Sequence, residues 1–172
     1  MLIPIGDWQI RSWHPEDEAS LVKYADNRNV SINLRNAFPH PYTREHARAW
    51  IEFASSQVPE ANFAIASLDE AIGGIGLRLG EDVFRGTAEI GYWLGEPFWG
   101  RGIATLAVVA LTDFAFSEFD LDRVEAHVFE RNPASARVLE KAGYCLEGRL
   151  RRSITKEGIT IDRFLYAKIR EQ

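Results

Sequence analysis

Residues 89–105 constrain this chain more than any other stretch. Ile90, Tyr92, Trp93 and Leu94 form a strand-like run of apolar and aromatic residues that stops at Gly95 and Pro97. Apolar residues with helical spacing then begin at Ile103, and Leu106, Ala107, Ala110, Leu111 and Phe114 extend the stripe, so a helix is expected over 103–119. Gly100 and Gly102 flank Arg101 at the turning point. A strand that turns through glycines into a helix makes an anion site. The first N–H groups of the helix lack internal partners, glycines let a phosphate approach the backbone, and the helix dipole and Arg101 add positive potential. A phosphate-rich ligand is therefore the leading expectation.

The 172 residues suit one domain, 1–172, long enough to bury its own core. No apolar run reaches bilayer length, and the opening residues, with Pro4, Gly6 and Asp7, lack the basic start and apolar middle of a signal peptide. A cytoplasmic location with no membrane partner is expected. Cys145 is the sole cysteine, so no intramolecular disulfide can form, and on a strand its expected role is packing. The histidines at 14, 40, 46 and 127 are scattered, and no metal-ligand spacing emerges. The net charge of −5 argues against nucleic acid as a partner and is compatible with a basic or amine-bearing one. Arg149, Arg151 and Arg152 read as a solvated strand edge or an ion-pair network.

Along the chain, residues 8–13 suit a strand, and His14 and Pro15 open a short helix to about Asp26. Residues 27–38 stay undecided. Pro39 and Pro41 force extended backbone, and Thr43 can cap a helix over 44–57 whose stripe is Ala47, Trp50, Ile51 and Ala54. A meander of three strands follows near 62–66, 72–79 and 87–94, and Gly73, Gly74 and Gly76 suggest twist or a bulge in its middle member. After the glycine-loop helix come a strand around Val124, Ala126 and Val128, a helix capped by Asn132 and stopped by Gly143, and two closing strands near 145–151 and 159–168. His127 should face away from Val124, Ala126 and Val128, with a structural role. This order implies an α/β fold: a largely antiparallel, twisted sheet of about seven strands, about four helices, and a parallel crossover through the glycine-loop helix.

Three segments carry a resemblance. They are Trp99, Gly100, Arg101, Gly102, Ile103, Ala104 and Thr105; Asn132, Pro133, Ala134 and Ser135; and Glu140, Lys141, Ala142, Gly143 and Tyr144, with a weaker echo in Pro41, Tyr42 and Thr43 ahead of Ala49, Trp50 and Ile51. Over nearly its whole length the chain resembles the Gcn5-related N-acetyltransferases (GNAT), and in particular the branch that acetylates ribosomal-protein N termini. The resemblance implies the GNAT acyl-CoA N-acyltransferase fold, acetyl-CoA as acetyl-donor cosubstrate, no metal, and transfer to a primary amine by direct attack in a ternary complex. It places the CoA pyrophosphate on the backbone N–H groups of Gly100 to Thr105, the loop that Trp99 opens. Tyr92, Trp93 and Leu94 would pair with the pantetheine amide, and an N–H there would polarise the thioester carbonyl. Asn132 would bond the cofactor or a neighbouring strand, Ser135 would donate to the departing thiolate, and Lys141 or Arg137 would reach the 3′-phosphate. His40 and Tyr42 would border the acceptor cleft. Many members carry a tyrosine acid seven residues after the asparagine, where this chain has Leu139.

The chemistry needs a neutral amine. A lysine amine titrates at about 10.4 and an α-amine at about 7.7–8.0, so an N-terminal amine is the easier acceptor and a base helps either. Glu89 is the candidate base, directly or through water, and can also orient a cationic acceptor; its plainer reading is a surface carboxylate on a strand. A covalent intermediate on Cys145 is not expected, since no histidine accompanies it in the motif. A dinucleotide loop is excluded by Thr105 in place of the third glycine, and a nucleoside-triphosphatase loop by the lack of a closing lysine with serine or threonine. Two rivals remain: a noncatalytic acyl-CoA-binding module, to which Leu139 lends weight, and an acetyltransferase for a small amine, a polyamine or an antibiotic. An exposed strand edge leaves a homodimer open.

Overall fold

The computed structural model describes residues 1–171. Strands β1 (Leu2–Ile5) and β2 (Trp8–Arg11) make a hairpin around Gly6 and Asp7. β1 is the strand that sequence reading missed, because four residues interrupted by Pro4 carry too little alternation to announce one. It brings the sheet to eight strands. A single 3-10 turn at Pro15–Asp17 leads into α1 (Glu18–Ala25), and the undecided region holds the one-turn helix α2 (Arg28–Ser31). Helix α3 (Arg44–Ser56) starts at Thr43, whose hydroxyl accepts from the His46 N–H as expected of a cap.

The meander is β3 (Asn62–Ala66), β4 (Ala71–Leu79) and β5 (Thr87–Leu94). Helix α4 (Ile103–Glu118) then crosses to β6 (Arg123–Phe129), and α5 (Pro133–Lys141), β7 (Cys145–Lys156) and β8 (Ile159–Ile169) complete the chain. The strand order is β1-β2-β3-β4-β5-β6-β8-β7, antiparallel throughout except at β5–β6, where the α4 crossover makes the pair parallel.

Helices cover both faces. On one, Ile103, Ala107, Val108, Leu111 and Ala115 of α4 pack on Ala88, Ile90 and Leu94 of β5 and on Val124, Ala126 and Val128 of β6. On the other, α1 and α3 bury Leu21, Ala25, Ala47, Ile51 and Ala54 against Trp13, Ala64 and Ala71. Of the expected α4 stripe, Leu106 is 48% exposed, while Val108 and Ala115 are fully buried. The helix is apolar nearly all round, so its sequence could not fix which side faces the sheet. In β4 the glycines answer to close neighbours: a Cβ at Gly74 would meet the Trp93 indole at 2.7 Å, and one at Gly76 would meet the Asn62 side chain. The register shift lies instead in β3, between Ile65 and Ala66.

Candidate active site

The sheet is opened along one seam. β5 and β6 pair only at Thr87↔Arg123, Ala88↔Val124 and Glu89↔Glu125, although β5 continues to Leu94 and β6 to Phe129. Beyond that point Tyr92, Trp93 and Leu94 stay bonded to β4, and Ala126 to Phe129 stay bonded to β8. The backbone groups facing the seam therefore have no strand partner. Unpaired buried amides are costly, so such a seam suits an extended ligand that carries amides of its own.

At the mouth of the seam the chain makes a 3-10 turn at Glu96–Phe98 and reaches the glycine loop. Trp99 anchors it, its Nε1 donating to the Leu94 carbonyl at 2.7 Å. The Arg101 guanidinium lies 5.6 Å from the Phe98 ring centre, and Phe98 meets Trp8 and Tyr24 edge to face. Gly100 and Gly102 take φ of +75° and +79°, where a side chain is strained, while a Cβ at either would meet nothing within 4 Å. Conformation, not crowding, requires glycine here. Gly102 enters α4 without a capping side chain, the first turn holds no Asp or Glu, and the first intrahelical bond at this end runs from the Leu106 N–H to the Gly102 carbonyl. Ile103, Ala104 and Thr105 thus present free N–H groups at the positive end of a sixteen-residue helix.

On the helix side of the seam stands a pair of hydroxyls. Ser135, in the first turn of α5, has its Oγ 2.7 Å from the Tyr92 hydroxyl, which also donates to the Ser135 carbonyl at 3.2 Å. Burial pushes the Tyr92 phenol up to about 12, against the opposing Ser135 bond, so it stays protonated. Asn132 accepts from the Ser135 N–H through Oδ1 at 3.2 Å and so caps α5; no bond from its amide to a neighbouring strand exists among the described residues. Leu139 is fully buried.

The opposite side is ionic. Glu89, 15% exposed, does not present a free carboxylate: Oε1 accepts from Arg35 and Oε2 from Arg78, its register partner on β4. Across the branch point Glu125 pairs with Arg123 at 3.0 Å. Two residues further on, His127 faces away from Val124, Ala126 and Val128, as expected; its Nε2 lies 3.8 Å from Glu125 and its buried Nδ1 has no partner. Burial first, and Arg163 second, hold the imidazole below its ordinary range.

A strap, residues 27–42, crosses this ionic side. Asn27 and Asn29 donate to Glu96 on the β5 side, at 2.6 and 3.0 Å. On the far side Arg28 pairs with Glu157 at the β7–β8 turn, and Arg131 donates to the Ile32 carbonyl. Arg35 drops from the strap to Glu89. Under its far end opens a cavity of about 210 Å³, lined among others by Arg35, Phe129 and Lys156.

Several expected residues sit elsewhere. Tyr42 is 5% exposed in the α1–α3 core, its ring tilted at 43° against Phe38, and burial raises its phenol to about 12. His40 is on the strap but turns to Asp26, with Nδ1 3.4 Å from its carboxylate. From the strap it is Arg35, a residue not expected there, that reaches Glu89. Its role rests on a partner fifty-four positions away, which no local pattern signals. Lys141 is exposed at the end of α5 remote from Asn132. Cys145 is exposed, so its expected role in packing is overturned: the β7 end where it lies is an uncovered edge. No group of metal-ligating side chains occurs among the described residues.

An uncapped helix start beside a seam of unpaired strand backbone is the architecture of an acyl-CoA transferase. Residues 8–144 match the family described as the acetyltransferase (GNAT) domain, and the chain belongs to that family of acetyl-CoA-dependent N-acetyltransferases. N-acetyltransferase p20 of Bacillus licheniformis is 34% identical over 95% of this chain and 93% of its own length. The ribosomal-protein-serine acetyltransferase of Escherichia coli K12 is 36% identical over 62% of this chain and 59% of that protein. Among solved structures, the ribosomal L7/L12 α-N-protein acetyltransferase RimL in complex with coenzyme A aligns over 98% of both chains, with a TM-score of 0.87 and 22% identity. Mycobacterium smegmatis RimJ in complex with CoA-disulfide aligns over 98% of this chain and 85% of that one, at 0.84 and 25%.

Proposed function

We propose that this N-acetyltransferase acts as a single domain, 1–172, on the α-amine of a protein N terminus, the acceptor class to which the ribosomal-protein relatives point. The observation that carries the reading is the seam, which ends at the uncapped start of α4 and has hydroxyls on one side and an ionic cluster on the other. Gly100, Arg101, Gly102, Ile103, Ala104 and Thr105 hold the pyrophosphate, Trp99 keeps their loop in place, and Tyr92, Trp93 and Leu94 offer backbone groups to the pantetheine arm. The amine enters from the strap side. Its nitrogen bonds to the thioester carbon, the carbon–sulfur bond breaks, and the thiolate leaves on the helix side, where Ser135 gives it a proton or a hydrogen bond with Tyr92 behind it. Glu89 takes the amine proton through water, because both of its oxygens are engaged by arginines. A second acceptor for that proton is favoured by His127, which is neutral at neutral pH and has an unpartnered Nδ1.

Release of the CoA thiol from acetyl-CoA, with purified protein and a panel of N-terminal peptides, polyamines and small amines, tests the reading. Turnover on peptides supports it. Turnover on polyamines or small amines alone replaces the acceptor, and tight CoA binding with no turnover on any amine favours a noncatalytic binding module.

A further inference from the structure

The cavity under the strap has the wrong sign for the molecule that contains it. The chain carries a net charge of −5, yet the lining holds Arg35 and Lys156 and no Asp or Glu. Lys156 is 6% exposed and makes no hydrogen bond or ion pair among the described residues. Two nearby cations are also short of partners: the buried Nε of Arg163 has none, nor has that of Arg131, which donates only to the Ile32 carbonyl. The carboxylates of the neighbourhood are already engaged. Glu157 is held by Arg28, Glu130 and Asp162 by Arg149, and Glu89 by Arg35 and Arg78 together. Covered lysines are normally paired, so one whose stem is packed away while its ammonium has no protein partner and opens on a cavity marks a place where an anion can bind. Asn36, Ser153 and Thr155 add neutral polar groups to the same wall. At about 210 Å³ the space is smaller than the roughly 300–1,000 Å³ of a whole small-molecule site, and suits one side chain or one anionic group of a larger ligand.

We propose that this cavity selects the acceptor: it binds a carboxylate close to the amine that is acetylated, so the favoured N termini carry Asp or Glu just after the first residue. This rests on the acetyl-acceptor reading above and narrows it. Arg35 joins the two places, since it lines the cavity and also touches Glu89 at the branch point of the seam. A polyamine or an aminoglycoside would put further positive charge against Lys156 and Arg35, and like charges brought together in an interface disfavour that partner.

The test uses three peptides that differ at one position, Ser-Glu-Ala-Phe, Ser-Gln-Ala-Phe and Ser-Lys-Ala-Phe, with thiol release giving kcat/KM for each. The expected order is Glu, then Gln, then Lys, with a Glu-to-Gln ratio of about tenfold or more, the size of one charge-assisted contact. Lys156→Met should bring that ratio to about one, and Lys156→Arg should retain it. Binding of the N-acetylated Glu and Gln peptides to the CoA-loaded enzyme, measured by calorimetry, supplies a readout that needs no turnover. Equal kcat/KM for the acid and its amide, or a ratio that survives Lys156→Met, overturns the proposal and leaves acetyl transfer standing. If no peptide turns over, the acceptor reading fails, and the calorimetric preference alone then decides whether the cavity binds an acid.

Discussion

In the proposed mechanism the chemical step leans on the contact between Ser135 and Tyr92, and each can lose its hydroxyl without losing its packing. Ser135→Ala is expected to lower kcat by about a hundredfold, the low end for a positioned proton donor, with the KM for acetyl-CoA nearly unchanged. Tyr92→Phe should give a smaller loss of the same kind; equal rates in wild type and both variants under single turnover would remove the hydroxyl pair from the mechanism. His127 supplies a stability signature. Its folded pKa lies below the unfolded value near 6.5, so above that pH both states are neutral and nothing changes. As pH falls through 6.5 the unfolded chain takes up the proton and the folded one resists, and stability declines until the folded value is passed. Urea unfolding at pH 7.5 and 5.5 should show a steeper acid loss for wild type than for His127→Gln. The conformation of Gly100 and Gly102 was legible because its signal is local, while Ser135 was marked out by the resemblance alone. Arg35, Lys156 and the tie of Glu89 to two arginines were not, since each depends on residues brought together from distant strands.

Among the elements, the start of α4 makes the sharpest demand on sequence. Gly102→Val puts a β-branched residue at φ +79° with open space around it, so the cost is backbone strain of about 1–2 kcal/mol rather than a clash. Relieving that strain turns the first N–H groups away from the phosphate. CoA affinity, measured by calorimetry, should fall at least tenfold while the far-ultraviolet circular dichroism stays unchanged. Retained affinity would sink the phosphate-loop assignment. The bounds of α4 and α5 were readable to within a residue or two, because the apolar stripe, Asn132 and Gly143 mark them, whereas β7, expected to end near Arg151, runs on to Lys156. Two things escaped. β1 is stabilised by pairing with β2 rather than by its own residues, and the buried side of α4 is chosen by the sheet it lies on.

At the scale of the whole molecule, one buried ion pair joins the first hairpin to the helical layer. Nη1 and Nη2 of Arg11 both donate to Asp17 at 2.7 Å, and Asp17, 5% exposed, also accepts from the His14 N–H. Asp17→Ala leaves a guanidinium buried without its partner, and is expected to cost about 3–5 kcal/mol in urea unfolding, far more than loss of the exposed Lys23–Glu70 pair. At the other end of the sheet, β7 lies bare, with Arg149, Arg151 and Arg152 and two register shifts along it. Charge and irregularity both discourage pairing with another copy there, so a dimer through that edge would form against them. The α/β class and the single parallel crossover were legible in the order of elements. The opening between β5 and β6 was not, since it is a property of two strands failing to pair.

That opening has a consequence for the fate of the protein as well as for its chemistry. A sheet with a missing rung is incomplete until another molecule supplies it, so the acetyl donor is also structural material. Ligand present at a hundred times its Kd adds about 2.7 kcal/mol to a fold that binds it only when native. Amide hydrogens along the parted halves of β5 and β6 should therefore exchange quickly in the empty protein and slowly with CoA bound, and melting should shift upward with CoA concentration. Where acetyl-CoA runs short, this protein should be cleared sooner, and its abundance would follow the metabolic state of the cell.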